Sequence, residues 1–157
     1  MLSLVILGSA RKQSDTQWLV NQLYKPTEFE LLDLLDYRIY PYHYRLAYPP
    51  DDQFKQVAEK LLQHQEIIFA TPVYWYAMSG LMKVFFDRLT NLTDLHKAMG
   101  KQLKGRTVKV IAVGSDPELP PGFEVPFQLT AQYFGMQYRG AVYKPVKELN
   151  MAGKAAN

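Results

Sequence analysis

The stretch Leu2-Ser3-Leu4-Val5-Ile6-Leu7-Gly8-Ser9-Ala10-Arg11-Lys12-Gln13-Ser14-Asp15-Thr16 decides how the rest of the chain is read. Its opening aliphatic run ends at Gly8, which predicts a short strand buried on both faces. A polar turn, Gly8 to Ser14, follows. Asp15-Thr16 then opens a segment with Trp18, Leu19, Gln22 and Leu23 at helical spacing, closing near Tyr24 ahead of Pro26. Strand, polar loop and helix start in that order leave free backbone N–H groups pointing out of a helix N-terminus.

The same alternation continues outward. Strands are expected at 29–33, 66–70, 107–113 and 137–142. Helices are expected from an Asp51-Asp52 cap to His64, from Ser79 to Leu89, briefly within 91–104, and from Phe123 to Phe134. Residues from Lys144 onward read as a polar tail that frays. Strands alternating with helices imply an α/β fold, a parallel sheet covered on both faces. Five strands in a chain of 157 residues suit a three-layer sandwich of strand order 2-1-3-4-5, the flavodoxin-like order, as one domain over 1–157 with the tail at 144–157. Ligands of such sheets lie where the strand order reverses, between the carboxyl ends of the first and third strands. The two most distinctive loops leave those two strands.

Composition narrows the chemistry. With no cysteine, disulfides, thiol nucleophiles and thiolate-bound metal clusters are excluded, so redox chemistry needs a bound cofactor. His43, His64 and His96 are dispersed without metal-ligand spacing, and no metal site is expected. A net charge of +3 comes from scattered Lys and Arg rather than a basic run, which favours a solvated surface over nucleic-acid binding. The basic residues of the opening segment follow its apolar run, unlike a signal peptide, and no stretch is long enough to span a bilayer. The expectation is a cytoplasmic protein with neither a membrane nor a nucleic-acid partner.

In the first loop, Ser9, Ser14 and Thr16 offer hydroxyl donors and Arg11 a charge-assisted contact, which together with the helix N-terminus suit a phosphate monoester. It is neither a Walker motif nor a dinucleotide fingerprint, and an ordinary surface loop capped by Ser14 or Asp15 is the competing reading. In the second loop, Pro72-Val73-Tyr74-Trp75-Tyr76-Ala77, a proline-stiffened turn carries three consecutive aromatics. They cannot all point inward, so at least one is expected exposed, a surface for a flat ligand.

GSARKQSDT after the first strand and FATPVYWYAMSGLMKVFFDRLT after the third resemble the NAD(P)H-dependent FMN reductase and quinone reductase family of the flavodoxin-like superfamily. The second stretch is similar to the family's iron–sulfur flavoproteins and their cluster-free relatives. The resemblance implies that Ser9, Arg11, Ser14 and Thr16 bind the FMN phosphate and that Pro72, Val73, Tyr74, Trp75, Tyr76 and Ala77 meet the flavin ring. Gly114 and Ser115 would form a third contact. Where iron–sulfur members carry cysteines, this chain has Tyr40, Pro41, Tyr42, His43 and Tyr44, which excludes a cluster.

The implied activity is FMN-dependent oxidation of NADPH or NADH, with ping-pong reduction of a small acceptor such as a quinone, an azo compound or free flavin. No catalytic side chain is assigned. The Tyr-rich segment 37–48 either covers the flavin's open face, with Arg38 or Arg45 near a nicotinamide phosphate, or lies in a dimer interface. The strongly apolar helix 79–89 points to a homodimer or homotetramer. A flavodoxin-type electron carrier is the alternative, though such carriers are strongly acidic and this chain has a pI near 9.0. A phospho-receiver domain is discarded because Gly8-Ser9-Ala10-Arg11 stands where its acidic cluster belongs.

Overall fold

Aliphatic, β-branched runs form strands where both faces can be buried, and here they pair into one sheet. In a computed structural model describing residues 1–151, the strands are β1 (Ser3–Leu7), β2 (Phe29–Asp33), β3 (Glu66–Tyr74), β4 (Ala77–Met78), β5 (Thr107–Gly114) and β6 (Gln137–Pro145). Five run parallel in the order β2-β1-β3-β5-β6, and β4 pairs antiparallel with the end of β3. The expected five-stranded 2-1-3-4-5 sheet is thereby corrected to six strands. The parallel strands keep the expected neighbours, and the addition is the β3–β4 hairpin built from residues read as a loop.

Pro72 explains why the loop reading failed. It sits within β3 opposite Val113 of β5, while β1 already ends opposite Ala70. Its missing N–H therefore falls beyond the last β1 pairing and breaks no ladder.

The helices are α1 (Asp15–Leu23), α2 (Phe54–Leu62), α3 (Gly80–Arg88), α4 (Lys97–Lys101), α5 (Val125–Tyr133) and α6 (Val146–Met151). Side chains alternating along β1 feed two cores. Val5 and Leu7 meet Leu19 and Val20 of α1 and Leu149 of α6 on one face. Leu4 and Ile6 share the other with Val57 and Leu61 of α2, Met82 and Phe85 of α3, and Phe127 of α5. Lys144 and Pro145 complete β6 and α6 buries Leu149, so the segment expected to fray from Lys144 is instead regular to residue 151. Leu149, three residues after Val146, gives this stretch its apolar anchor. The remaining tail, 152–157, lies outside the described residues. Asp51-Asp52 does not open α2 either, because Gln53 is its N-cap.

One buried charge is the main departure from an apolar core. Arg88, 1% exposed, donates to both carboxylate oxygens of Asp52 at 2.7 and 2.8 Å and to the Tyr40 carbonyl at 2.8 Å. Its guanidinium carbon lies 3.5 Å from the Tyr48 ring centroid. The pair ties the Tyr-rich segment to α3. Lys83 and Asp87, outside on the same helix, form the i,i+4 pair that the spacing suggests, at 2.5 Å.

Such partners hold several carboxylates below their usual range. The Lys60 ammonium, then His64, holds Glu30 below the usual carboxylate range. Burial works to raise Asp52, but Arg88 and the Tyr40 and Phe54 N–H groups outweigh it and leave it lowered. Burial likewise opposes Lys109 and Ser3 at Glu66, which also ends lowered. A depressed carboxylate stabilises the fold above its unfolded pKa, and that stabilisation is lost as pH falls through the folded one. The urea midpoint is therefore expected to be flat above about pH 5 and to fall steadily below about pH 4. A midpoint unchanged down to about pH 3 would contradict these pairings.

Candidate functional site

The carboxyl ends of β1 and β3 are fastened together before any ligand is considered. The Gly8 N–H donates to the Ala70 carbonyl at 2.8 Å, and Ser79 Oγ donates to the Gly8 carbonyl at 2.5 Å. Ser79 also caps α3, accepting from the Met82 N–H at 3.1 Å, while its own N–H donates to Thr71 Oγ1 at 3.0 Å. A Cβ at Gly8 would stand 2.9 Å from Met82 Cβ, so glycine permits this approach. Thr71 and Ser79, fully buried organisers of the site, are absent from the sequence-based list. Ser79 was detectable as a serine directly before an apolar helical run.

The first loop then enters α1. Ser14 is the N-cap, its Oγ accepting from the Gln17 N–H at 3.2 Å and its carbonyl from the Trp18 N–H at 2.9 Å. Arg11 lies 3.6 Å from Asp15, one turn on. The neighbouring Lys12 turns the other way, and its pKa is raised by hydrogen bonds to Asp33 and then Asp36.

The loop, the end of β3 and the end of β5 enclose a cleft of about 190 Å³. Ser9, Arg11, Ser14 and Thr16 line it from one side, Pro72, Val73 and Tyr74 from another, and Gly114 and Ser115 from a third. Nine of the twelve residues singled out in the sequence are thus brought together. Asp15, Val113 and Val146 complete the lining. Val146 was missed because it falls in the segment read as a tail.

Gly114 matters by its small size. A Cβ there would stand 2.8 Å from the Tyr143 hydroxyl and 3.1 Å from Val73 Cβ. The Tyr143 hydroxyl donates to the Asp116 carbonyl at 2.6 Å, holding the loop after β5, and burial pushes its pKa up.

Trp75, Tyr76 and Ala77 do not line the cleft. Trp75 and Tyr76 form the two-residue turn of the β3–β4 hairpin, 92% and 64% exposed. Both have positive φ, 48° and 68°, as a type I′ turn requires at positions that favour Asn and Gly. Bulky residues in this region cost roughly 1–2 kcal/mol each. Replacing Tyr76 with glycine is expected to relieve more strain than the added chain entropy costs, raising stability by about 0.5–1 kcal/mol. That corresponds to about 2–3 °C in the melting midpoint, and a fall instead would show that Tyr76 makes a stabilising contact.

The Tyr-rich segment stands apart from the cleft. Arg38 is paired with Asp51 at 2.5 Å, and a wider hollow of about 730 Å³ between 35–39 and 50–53 contains no residue of either distinctive loop.

A parallel α/β sheet of order β2-β1-β3-β5-β6, with a cleft where the loop after β1 meets the ends of β3 and β5, is the flavodoxin-like arrangement. Within that class the chain belongs to the NADPH-dependent FMN reductase family, whose family model matches residues 1–139. It is 31% identical over 147 residues to YwqN of Bacillus subtilis (strain 168), provisionally named an NAD(P)H-dependent FMN-containing oxidoreductase, with 88% of this chain and 81% of that protein covered. Among solved structures it resembles the Trp repressor binding protein of Bacillus subtilis, with TM-score 0.74, 26% identity, and 91% and 83% of the two chains covered. General stress protein 14 of Treponema denticola, solved in complex with FMN, matches with TM-score 0.68 at 18% identity over 97% of this chain and 90% of that one, a likeness of fold.

Proposed function

We propose that the protein binds FMN in this cleft, oxidises NADPH or NADH, and reduces a small acceptor such as a quinone, an azo compound or free flavin. One observation carries the reading. Ser9 and Thr16, 3% and 1% exposed overall, line the cleft and make no side-chain hydrogen bond among the described residues. Their hydroxyls are therefore free to donate into the cleft, where a phosphate would rest over the start of α1. Arg11 supplies the positive charge and Asp15 limits how much of it is free.

Pro72, Val73 and Tyr74 would face the flavin ring, with Gly114 and Ser115 leaving room at its edge. The exposed hairpin apex of Trp75, Tyr76 and Ala77 would flank the open side on which donor and acceptor exchange. Bound FMN would supply two-electron chemistry, taking reducing equivalents from the nicotinamide and giving them to the acceptor. One exchange site used in turn by both substrates implies ping-pong kinetics. The chain's contribution is to hold, orient and expose, and no side chain is placed as a proton donor.

No helix among the described residues is long and apolar enough to cross a membrane. The proposal also includes a cytoplasmic setting and a homodimer or homotetramer, the latter resting on the apolar character of α3. The test is to purify the protein, titrate it with FMN, and follow NAD(P)H oxidation with a quinone. Stoichiometric FMN binding and parallel double-reciprocal lines are expected. Binding of FMN without NAD(P)H oxidation would favour an electron carrier, and no FMN binding would overturn the reading.

A further inference from the structure

The first loop carries two adjacent cations, and they diverge. Arg11 lines the cleft, whereas Lys12 does not. The Lys12 ammonium instead donates to Asp33 Oδ2 at 2.7 Å and to Asp36 Oδ1 at 2.6 Å. Asp33 is a fixed anchor. It ends β2, is 6% exposed, and its second oxygen accepts the Leu35 N–H at 2.9 Å, capping the single turn Leu34–Asp36.

The loop needs such an anchor. Gly8 and Ser14 are held at its two ends, but among the described residues no backbone hydrogen bond joins Ser9 through Gln13 to another element. Gln13 also adopts φ 50°, a left-handed conformation that a non-glycine residue keeps only when its surroundings impose it. Lys12 is the residue before Gln13, and its bridge to β2 fixes the chain at that point.

We propose that Lys12, held by Asp33 and Asp36, is a positioning residue that sets the loop for phosphate while never touching the ligand itself. The inference rests on the cofactor reading above. A loop already ordered in the free protein loses less entropy on binding, so the bridge appears in affinity.

The opposite role, a lysine waiting to contact phosphate, makes the opposite prediction for the carboxylates. Releasing Lys12 with Asp36→Asn would then tighten FMN binding. A positioning role predicts weaker binding instead, by about 3- to 10-fold, with Lys12→Ala weaker by about tenfold or more and Lys12→Arg within about threefold of wild type. Asp36 and Lys12 are exposed, at 62% and 53% of their side chains, so these variants are expected to fold.

The experiment is an FMN titration followed by flavin fluorescence at low and high salt, together with melting midpoints and amide exchange across residues 9–13 without ligand. Lys12→Ala should accelerate loop exchange, lower the midpoint modestly because Asp33 keeps only the Leu35 N–H, and keep the wild-type salt dependence that Arg11→Ala loses. Unchanged affinity in Lys12→Ala, or tighter binding in Asp36→Asn, overturns the role of Lys12 alone. Wild-type protein that takes up no FMN overturns the cofactor reading and the role with it.

Discussion

Arg88→Met is expected to cost about 3–5 kcal/mol of folding stability, a large part of the 5–15 kcal/mol typical of a small protein. The loss comes from what is left behind. Asp52, its side chain 10% exposed, would stay charged without its bidentate partner, and the Tyr40 carbonyl would lose its donor. The guanidinium carbon also lies over the Tyr48 and Phe54 rings, 3.5 and 4.8 Å from their centroids, so a flexible thioether restores the volume and not the attraction. Lysine is no substitute, because one ammonium cannot serve two carboxylate oxygens and a carbonyl in that fork.

Asp52 cannot simply be removed either, since it accepts the N–H groups of Tyr40 and Phe54 at 3.0 and 3.3 Å. The double variant Arg88→Met with Asp52→Asn discards the stranded charge and keeps an oxygen for one of those two donors, which bond different carboxylate oxygens. It is expected to recover more than half of the loss. Urea denaturation of the four proteins measures the coupling, and a single-variant cost under about 1 kcal/mol would refute a buried, partner-dependent charge. The Tyr-rich segment is the part released first, so limited proteolysis of Arg88→Met should cut between Tyr40 and Tyr48.

Arg88 also shows where a sequence stops being legible. Strand and helix placement followed from local pattern, because β1 and β5 carry continuous apolar runs and α1 buries Leu19 and Val20 at helical spacing. The cleft was legible because both its loops carry residue types with few structural uses, a cluster of small hydroxyls with arginine and a proline beside three aromatics. Arg88 closes an apolar helix in the sequence and reads as an ordinary C-terminal charge. Its partner lies 36 residues away, just past the Tyr-rich segment, which has no period at all. Pro72 misled for a related reason. A proline is compatible with a strand only when the neighbouring strand has already ended, and that is a fact of register. Val146 and Leu149 were hidden by the polar residues around them.

Arg11 and Asp15 provide the second large effect, in ligand affinity rather than folding. A charge-assisted hydrogen bond contributes about 1.5–3 kcal/mol, so Arg11→Ala is expected to weaken FMN binding about 10- to 150-fold. Asp15→Asn should act in the other direction. It removes a negative charge from the cleft lining and ends the 3.6 Å pairing that draws Arg11 aside. Severalfold tighter FMN binding is expected from it, although the same change takes a favourable charge from the first turn of α1 and lowers stability by about 0.3–1 kcal/mol.

Affinity and stability moving in opposite senses mark a residue kept for the helix at the ligand's expense. Riboflavin separates a phosphate effect from damage to the ring site, because it lacks the dianion. Both variants should bind riboflavin as the wild type does. If Arg11→Ala weakens riboflavin as much as FMN, the guanidinium is not at the phosphate and the loop after β1 holds some other part of the ligand.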